Sequence, residues 1–291
     1  MQINAELTAL LSLIDDPDEE VFDLISKKII TYGKEIIPCL EDLCETTAND
    51  DTQNRINEII HQVHFETLVS EFQLWNAQSS HDLLIGSTLL ARYPYPNLSL
   101  ESTQHAANLI KKEIWLEIND FLTSLEMAFI VSKVLFQFQK IQSERNNYQH
   151  LEHFFIHSVL EKKQGNALST GILYQYLCEQ LQIPVRLIGI PDQNVLACFQ
   201  RNYQDLPEKV PHQQVILFYI DATNGKIFSQ HDLDCYFDLY NVPKEDHFFK
   251  PLSHQQILQK LAQEVGKCYL SLKDLNRKKE LDILASLIRQ P

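Results

Sequence analysis

A change of hydrophobic period between Gly165 and Phe228 constrains this chain more than any other feature. The stretch "GNALSTGILYQYLCEQLQIPVRLIGI" (165–190) opens on a glycine, runs as an amphipathic helix and stops at Ile183-Pro184. Proline ends a helix because it lacks an N–H and pushes the preceding residue towards extended backbone. Three runs follow, "VRLIGI" (185–190), "NVLACFQR" (194–201) and "QVILFYID" (214–221), each rich in residues that suit a pleated sheet. "TNGK" (223–226) holds an Asn-Gly turn that folds the third run back on "IFS". Short connections of this kind imply antiparallel pairing.

The remainder reads as helices. "DDPDEEVFDLISKKIITYG" begins with an acidic first turn that suits the helix dipole, repeats Val21, Ile25 and Ile29 at spacing four, and ends at Gly33. Ile36, Leu40 and Leu43 form a second stripe, and Ile56, Ile59, Ile60 and Val63 a third. These pairs resemble a HEAT-type repeat, but only about one and a half fit, so they are expected to pack on the rest of the chain. "RYPYPNLSLES" is a proline-broken loop before a long run through Trp115. In "LTSLEMAFIVSKVLFQF" a Thr123–Glu126 capping box precedes Ile130, Val134 and Phe138 on one face. The expected fold is α+β, with a helical, HEAT-like region over 1–140, a core with an antiparallel sheet over 141–250 and a helical extension over 251–291, in one cooperative body.

Charge removes one class of partner. Thirty-nine acids against 25 Lys and Arg give a net charge of −14, which repels phosphate backbones. The basic runs "NLIKKEI" and "LNRKKELD" are short and flanked by acids, as on a solvated helix face. Nucleic acid is therefore not expected as a partner, and with no long apolar run neither is a membrane. Seven glycines without a Gly-rich loop disfavour a nucleotide site, and no cofactor is expected. The six cysteines form no Cys-x-x-Cys and follow no signal peptide. Cytoplasmic location and buried, inert thiols are the expectation.

The helix at 165 sits where some enzymes keep a nucleophile. A thiolate at a helix N-terminus is stabilised by free N–H groups, a histidine on the next strand takes its proton, and an Asp or Asn on the strand after that orients the histidine. The order helix, strand, strand, strand resembles the transglutaminase-like, papain-related scaffold. "LEKKQGNALSTGILYQYLCEQLQIPVRLIGIP" with "LFYIDATNGKIFS" is similar to its SirB1-like branch of bacterial proteins. "LLSLIDDPDEEVFD" and "LTSLEMAFIVSKVLF" resemble that branch's helical amino-terminal part. The resemblance runs through most of the chain and is strongest from about 145 to 230. Aligned on "IPVR" (183–186), it puts the superfamily's nucleophile position at Ala167. The branch's Pro-Gly-His-Phe falls on Pro191, Asp192, Gln193 and Asn194, so a glutamine stands where the histidine belongs. Glutamine hydrogen-bonds but takes no proton at neutral pH. Asp221, in "Ile220-Asp221-Ala222", keeps the orienting acid. The resemblance thus implies a non-enzyme whose former substrate groove, lined by Ala167, Ser169, Gln193, Asn194 and Asp221, binds a protein or peptide.

Other residues carry competing readings. Ser169 is an alternative nucleophile for a hydrolase or acyltransferase, with His153 or His212 as base, but a Ser near a helix start also caps locally. Asp221 either retains a binding role or accepts hydrogen bonds from the "TNG" turn. Cys178 and Cys198 read as core. His153 and His157, four apart, would share a helix face, yet without a third ligand no metal site is expected. "HDLDCYFD" (231–238) reads as a loop of coincident polar residues, and Trp75 and Trp115 as core anchors.

Overall fold

Asp18 fixes the first strong helix start: its carboxylate accepts the amide of Glu20 at 2.9 Å. In the computed structural model, which describes residues 5–145, 147–191, 193–203 and 210–288, the chain divides into two compact units. The first comprises Met1–Leu74 and Tyr93–Pro96, and the second Trp75–Arg92 and Asn97–Pro291.

Helices α1 (Ala5–Ser12), α2 (Glu19–Ile30), α3 (Ile37–Thr46) and α4 (Asp50–Asn76) build the first unit, α4 running on across its boundary. Their aliphatic stripes meet in a core that includes Leu7, Ile25, Ile29, Ile36, Leu40, Ile56 and Val63. Arg55 ties the α1–α2 corner to α4. Its guanidinium donates to the carbonyls of Ile14 and Asp16, pairs with Glu19 at 3.0 Å and lies 4.6 Å over the Phe22 ring.

The second unit begins with α5 (Leu83–Ala91), α6 (Leu100–Glu117) and α7 (Ser124–Ser132). Thr123 and Glu126 form the expected reciprocal cap of α7. After α7 the chain widens into a π-helical segment over Lys133–Phe138, so the simple period fails there. Met127, Ala128, Val131, Val134 and Leu135 are buried, whereas Ile130 is half-buried and Phe138 exposed, which corrects the Ile130–Val134–Phe138 stripe. In α6 the buried stripe is Thr103, Ala107, Ile110 and Ile114. Trp115 lies off that stripe and is 63% exposed, while Trp75 is buried with its indole N–H donating to the Asp82 carbonyl. Only Trp75 is a core anchor.

Two short strands, β1 (Gln142–Glu144) and β2 (Gln164–Asn166), pair in parallel with α8 (Ile156–Glu161) between them. Helix α9 (Ala167–Gln180) follows β2 directly. The main sheet takes β3 (Val185–Ile188), β4 (Val195–Phe199), β5 (Ile216–Asp221) and β6 (Ile227–Phe228) in sequential antiparallel order. Gly225, at φ +71°, makes the β5–β6 turn, and Asp221 N–H donates to the Lys226 carbonyl across it. Gly171 lets α9 approach the sheet: a Cβ there would stand 3.0 Å from Leu187 and 3.4 Å from Ala222. Gln175 on α9 accepts the Leu187 amide at 2.7 Å, satisfying a donor on edge strand β3.

Three helices close the unit: α10 (Gln230–Leu239), α11 (His254–Ser271) and α12 (Leu275–Leu287). Residues 231–238 are therefore helical rather than a loop, started by a reciprocal Ser229–Asp232 cap. The molecule is α+β, with helices before and after a four-stranded antiparallel sheet. Among the described residues no helix is long and apolar enough to cross a membrane.

Candidate functional site

Asn166 determines where α9 starts. Its side-chain oxygen accepts the amides of Leu168 and Ser169, both at 3.0 Å, and Ser169 Oγ accepts the Asn166 amide at 3.0 Å. β2 holds Asn166 in register opposite Glu144 of β1. Together these contacts put Ala167 at the first turn of the helix, on the wall of a cavity of about 450 Å3. Gln193 and Asn194, just before β4, and Asp221, at the end of β5, line the same cavity.

The rest of the wall comes from farther along the chain. Arg145 and Tyr148 follow β1, and Lys260, Glu264 and Lys267 project from α11. Tyr148 donates to Glu264 at 2.7 Å, and Lys267 pairs with the other Glu264 oxygen at 2.7 Å. The Lys267 ammonium also lies 5.6 Å from the Tyr148 ring centroid. Burial and the Glu264 hydrogen bond push the Tyr148 phenol up, so it stays protonated. The hydrogen bond from Lys267 to Glu264 raises the ammonium and holds it charged. Asp221 is engaged by its own turn: one oxygen accepts the Thr223 amide at 2.8 Å and hydroxyl at 2.7 Å, the other the Asn224 amide group at 3.1 Å. It therefore makes the turn while still facing the cavity.

Four of the five expected groove residues, Ala167, Gln193, Asn194 and Asp221, meet at this cavity. Ser169 is not part of its lining. It is fully buried, and its hydroxyl donates to the His153 carbonyl at 2.6 Å, so it serves the helix cap. Neither expected base lines the cavity: His153 pairs with Glu144 at 2.8 Å, and His212 with Asp246 at 2.9 Å. Asp192 lies outside the described residues. His153 and His157 do not share a helix face, because Phe155 is extended (φ −107°, ψ 136°) and separates a 3-10 turn from α8. Among the described residues no group of three or more His, Cys, Asp or Glu is arranged to hold a metal ion.

Cys178, Cys198 and Cys268 are buried, and burial pushes the thiols of Cys198 and Cys268 up to about 12 and that of Cys178 well above its ordinary value. Cys235 departs from the expected pattern: it is exposed on α10, with its sulfur 4.0 Å from His231 Nε2.

The charged wall was missed in the sequence, although a signal was present. Ile257, Leu258, Leu261, Ala262, Val265 and Cys268 form the buried stripe of α11, which puts Lys260, Glu264 and Lys267, at spacings of four and three, together on an adjoining face.

The family model for the transglutaminase-like superfamily matches residues 101–263, more than half of the chain. The match takes in every cavity residue named above except Glu264 and Lys267. No curated protein and no solved structure matches the chain.

Proposed function

This chain belongs to the transglutaminase-like superfamily, and on that premise we propose that it is a non-catalytic, cytoplasmic, SirB1-like member that holds a segment of a protein or peptide partner in the cavity at the start of α9. The observation that carries this reading is the chemistry of the cavity wall. A methyl group at Ala167 and a carboxamide at Gln193 stand with Asp221, and the lining contains no cysteine, serine or histidine among the described residues. Acyl transfer needs an activated nucleophile and a group to accept its proton. The one hydroxyl of aliphatic type in the lining, Thr223, donates to Asp221 at 2.7 Å. A volume of about 450 Å3 suits a few residues of extended chain. The α1–α4 pairs, read as HEAT-like, offer a second protein-binding surface.

The rival reading, a hydrolase or acyltransferase using Ser169, has to free a buried hydroxyl from the His153 carbonyl. Two measurements separate the readings. Labelling by a fluorophosphonate probe, lost in Ser169→Ala, refutes the non-catalytic proposal, as does release of ammonia from a glutaminyl peptide by the purified chain. The proposal expects neither, and expects cross-linking of a bound peptide that disappears in Ala167→Trp, where the indole fills the cavity.

A further inference from the structure

The cavity wall carries a charge pattern that the lost chemistry does not explain. Among the described residues of the lining, three cations, Arg145, Lys260 and Lys267, face two carboxylates, Asp221 and Glu264, which leaves one net positive charge. This surplus stands out on a chain of net charge −14. Both carboxylates are already committed. Glu264, 7% exposed, accepts from Tyr148 and Lys267, and Asp221 accepts three hydrogen bonds from its own turn. Neither is therefore positioned to neutralise Arg145, which is exposed and makes no ion pair among the described residues. Gln193 and Asn194 add amide donors, and the start of α9 adds the positive end of a 14-residue helix.

Deepening the peptide-binding reading, on which it rests, we propose that the cavity selects a carboxylate, so that the bound segment is acidic. Arg145 supplies a planar fork of donors that matches a carboxylate. One surplus positive charge balances a monoanion, whereas a phosphate dianion would be left uncompensated beside Asp221 and Glu264. The overall negative charge does not prevent this, because exposed charges beyond about 8 Å are screened at physiological salt. The carboxylate comes from an Asp or Glu side chain or from a chain end.

Selection from a random dodecapeptide phage library tests the proposal, with one pool displayed internally and one as free C-termini. The expected result is enrichment of Asp and Glu over Asn and Gln in the internal pool, or of the free ends over the internal pool; the first assigns a side-chain carboxylate and the second a terminal one. Calorimetric titration of a selected acidic peptide should show about a tenfold loss of affinity on changing its acid to the amide. Arg145→Glu should give about the same loss for the acidic peptide and none for the amide, while Arg145→Lys retains binding. Arg145 is exposed, so these variants keep the fold, checked by tryptophan fluorescence. Enriched peptides with no preference for acid overturn carboxylate selection and leave peptide binding standing. An unenriched library overturns both.

Discussion

Replacing Asn166 by alanine tests how the cavity's first wall is held. At an exposed helix end the loss of such a cap costs about 1 kcal/mol, because water takes over the freed amides. Asn166 is 0% exposed, so water does not reach the amides of Leu168 and Ser169. A buried amide left without a partner costs about 1–3 kcal/mol. One contribution runs the other way: the Asn166 side-chain nitrogen is itself buried with no hydrogen-bond partner, and truncation removes it. The net expectation is a loss of about 2–3 kcal/mol, or roughly 30- to 150-fold in the folding constant. Urea unfolding followed by tryptophan fluorescence is the suitable assay. Both tryptophans, Trp75 and Trp115, belong to the second unit, which also holds Asn166, so the signal reports the unit that carries the substitution. Asn166→Ser keeps an acceptor oxygen and should lose less than the alanine variant. If alanine costs less than about 0.5 kcal/mol, or serine and alanine cost the same, the two bonds do not hold the helix start.

Three further outcomes are expected. Burial disfavours a charged His254, but the hydrogen bond and charge of Glu179 outweigh it and raise the imidazole above 6.5. The stability this gives is fully present below 6.5 and is lost as pH rises through the folded value, so urea midpoints should fall from pH 6 towards alkaline pH and His254→Gln should flatten the fall. Iodoacetamide should modify Cys235 first and leave Cys178, Cys198 and Cys268 untouched in the folded state, and mass spectrometry of Cys235→Ser should lack the fast adduct. Gly225→Ala places a Cβ 2.6 Å from Phe136 and 2.8 Å from Ser132 at positive φ, and should cost about 2 kcal/mol or more in the same fluorescence assay.

The readings that held were those set by local chemistry. β-branched runs with short connections gave the ladder from β3 to β6, and the Asn-Gly turn brought Ile227 opposite Ile220. The Thr123–Glu126 cap and the turn-forming role of Asp221 needed only neighbours three residues away or fewer. Where the sequence misled, the cause lay in an element's phase or its ending. Trp115 follows directly on buried Ile114, and that one-residue step turns it out of the packed stripe. An extended Phe155 between His153 and His157 breaks a spacing that would otherwise put them on one face. The charged side of the cavity is legible only in part: the stripe of α11 groups Lys260, Glu264 and Lys267, but Glu264 bonds Tyr148 across 116 positions, and only the folded chain brings α11 to the start of α9.

That same span bears on synthesis at the ribosome. The pocket draws on residues from Arg145 to Lys267, so a nascent chain lacks part of its wall until α11 has cleared the exit tunnel. Ligand capture consequently becomes possible only after the sheet, the α9 cap and the following helices have all emerged, and a polypeptide stalled before Lys260 would present neither lysine to an acidic guest.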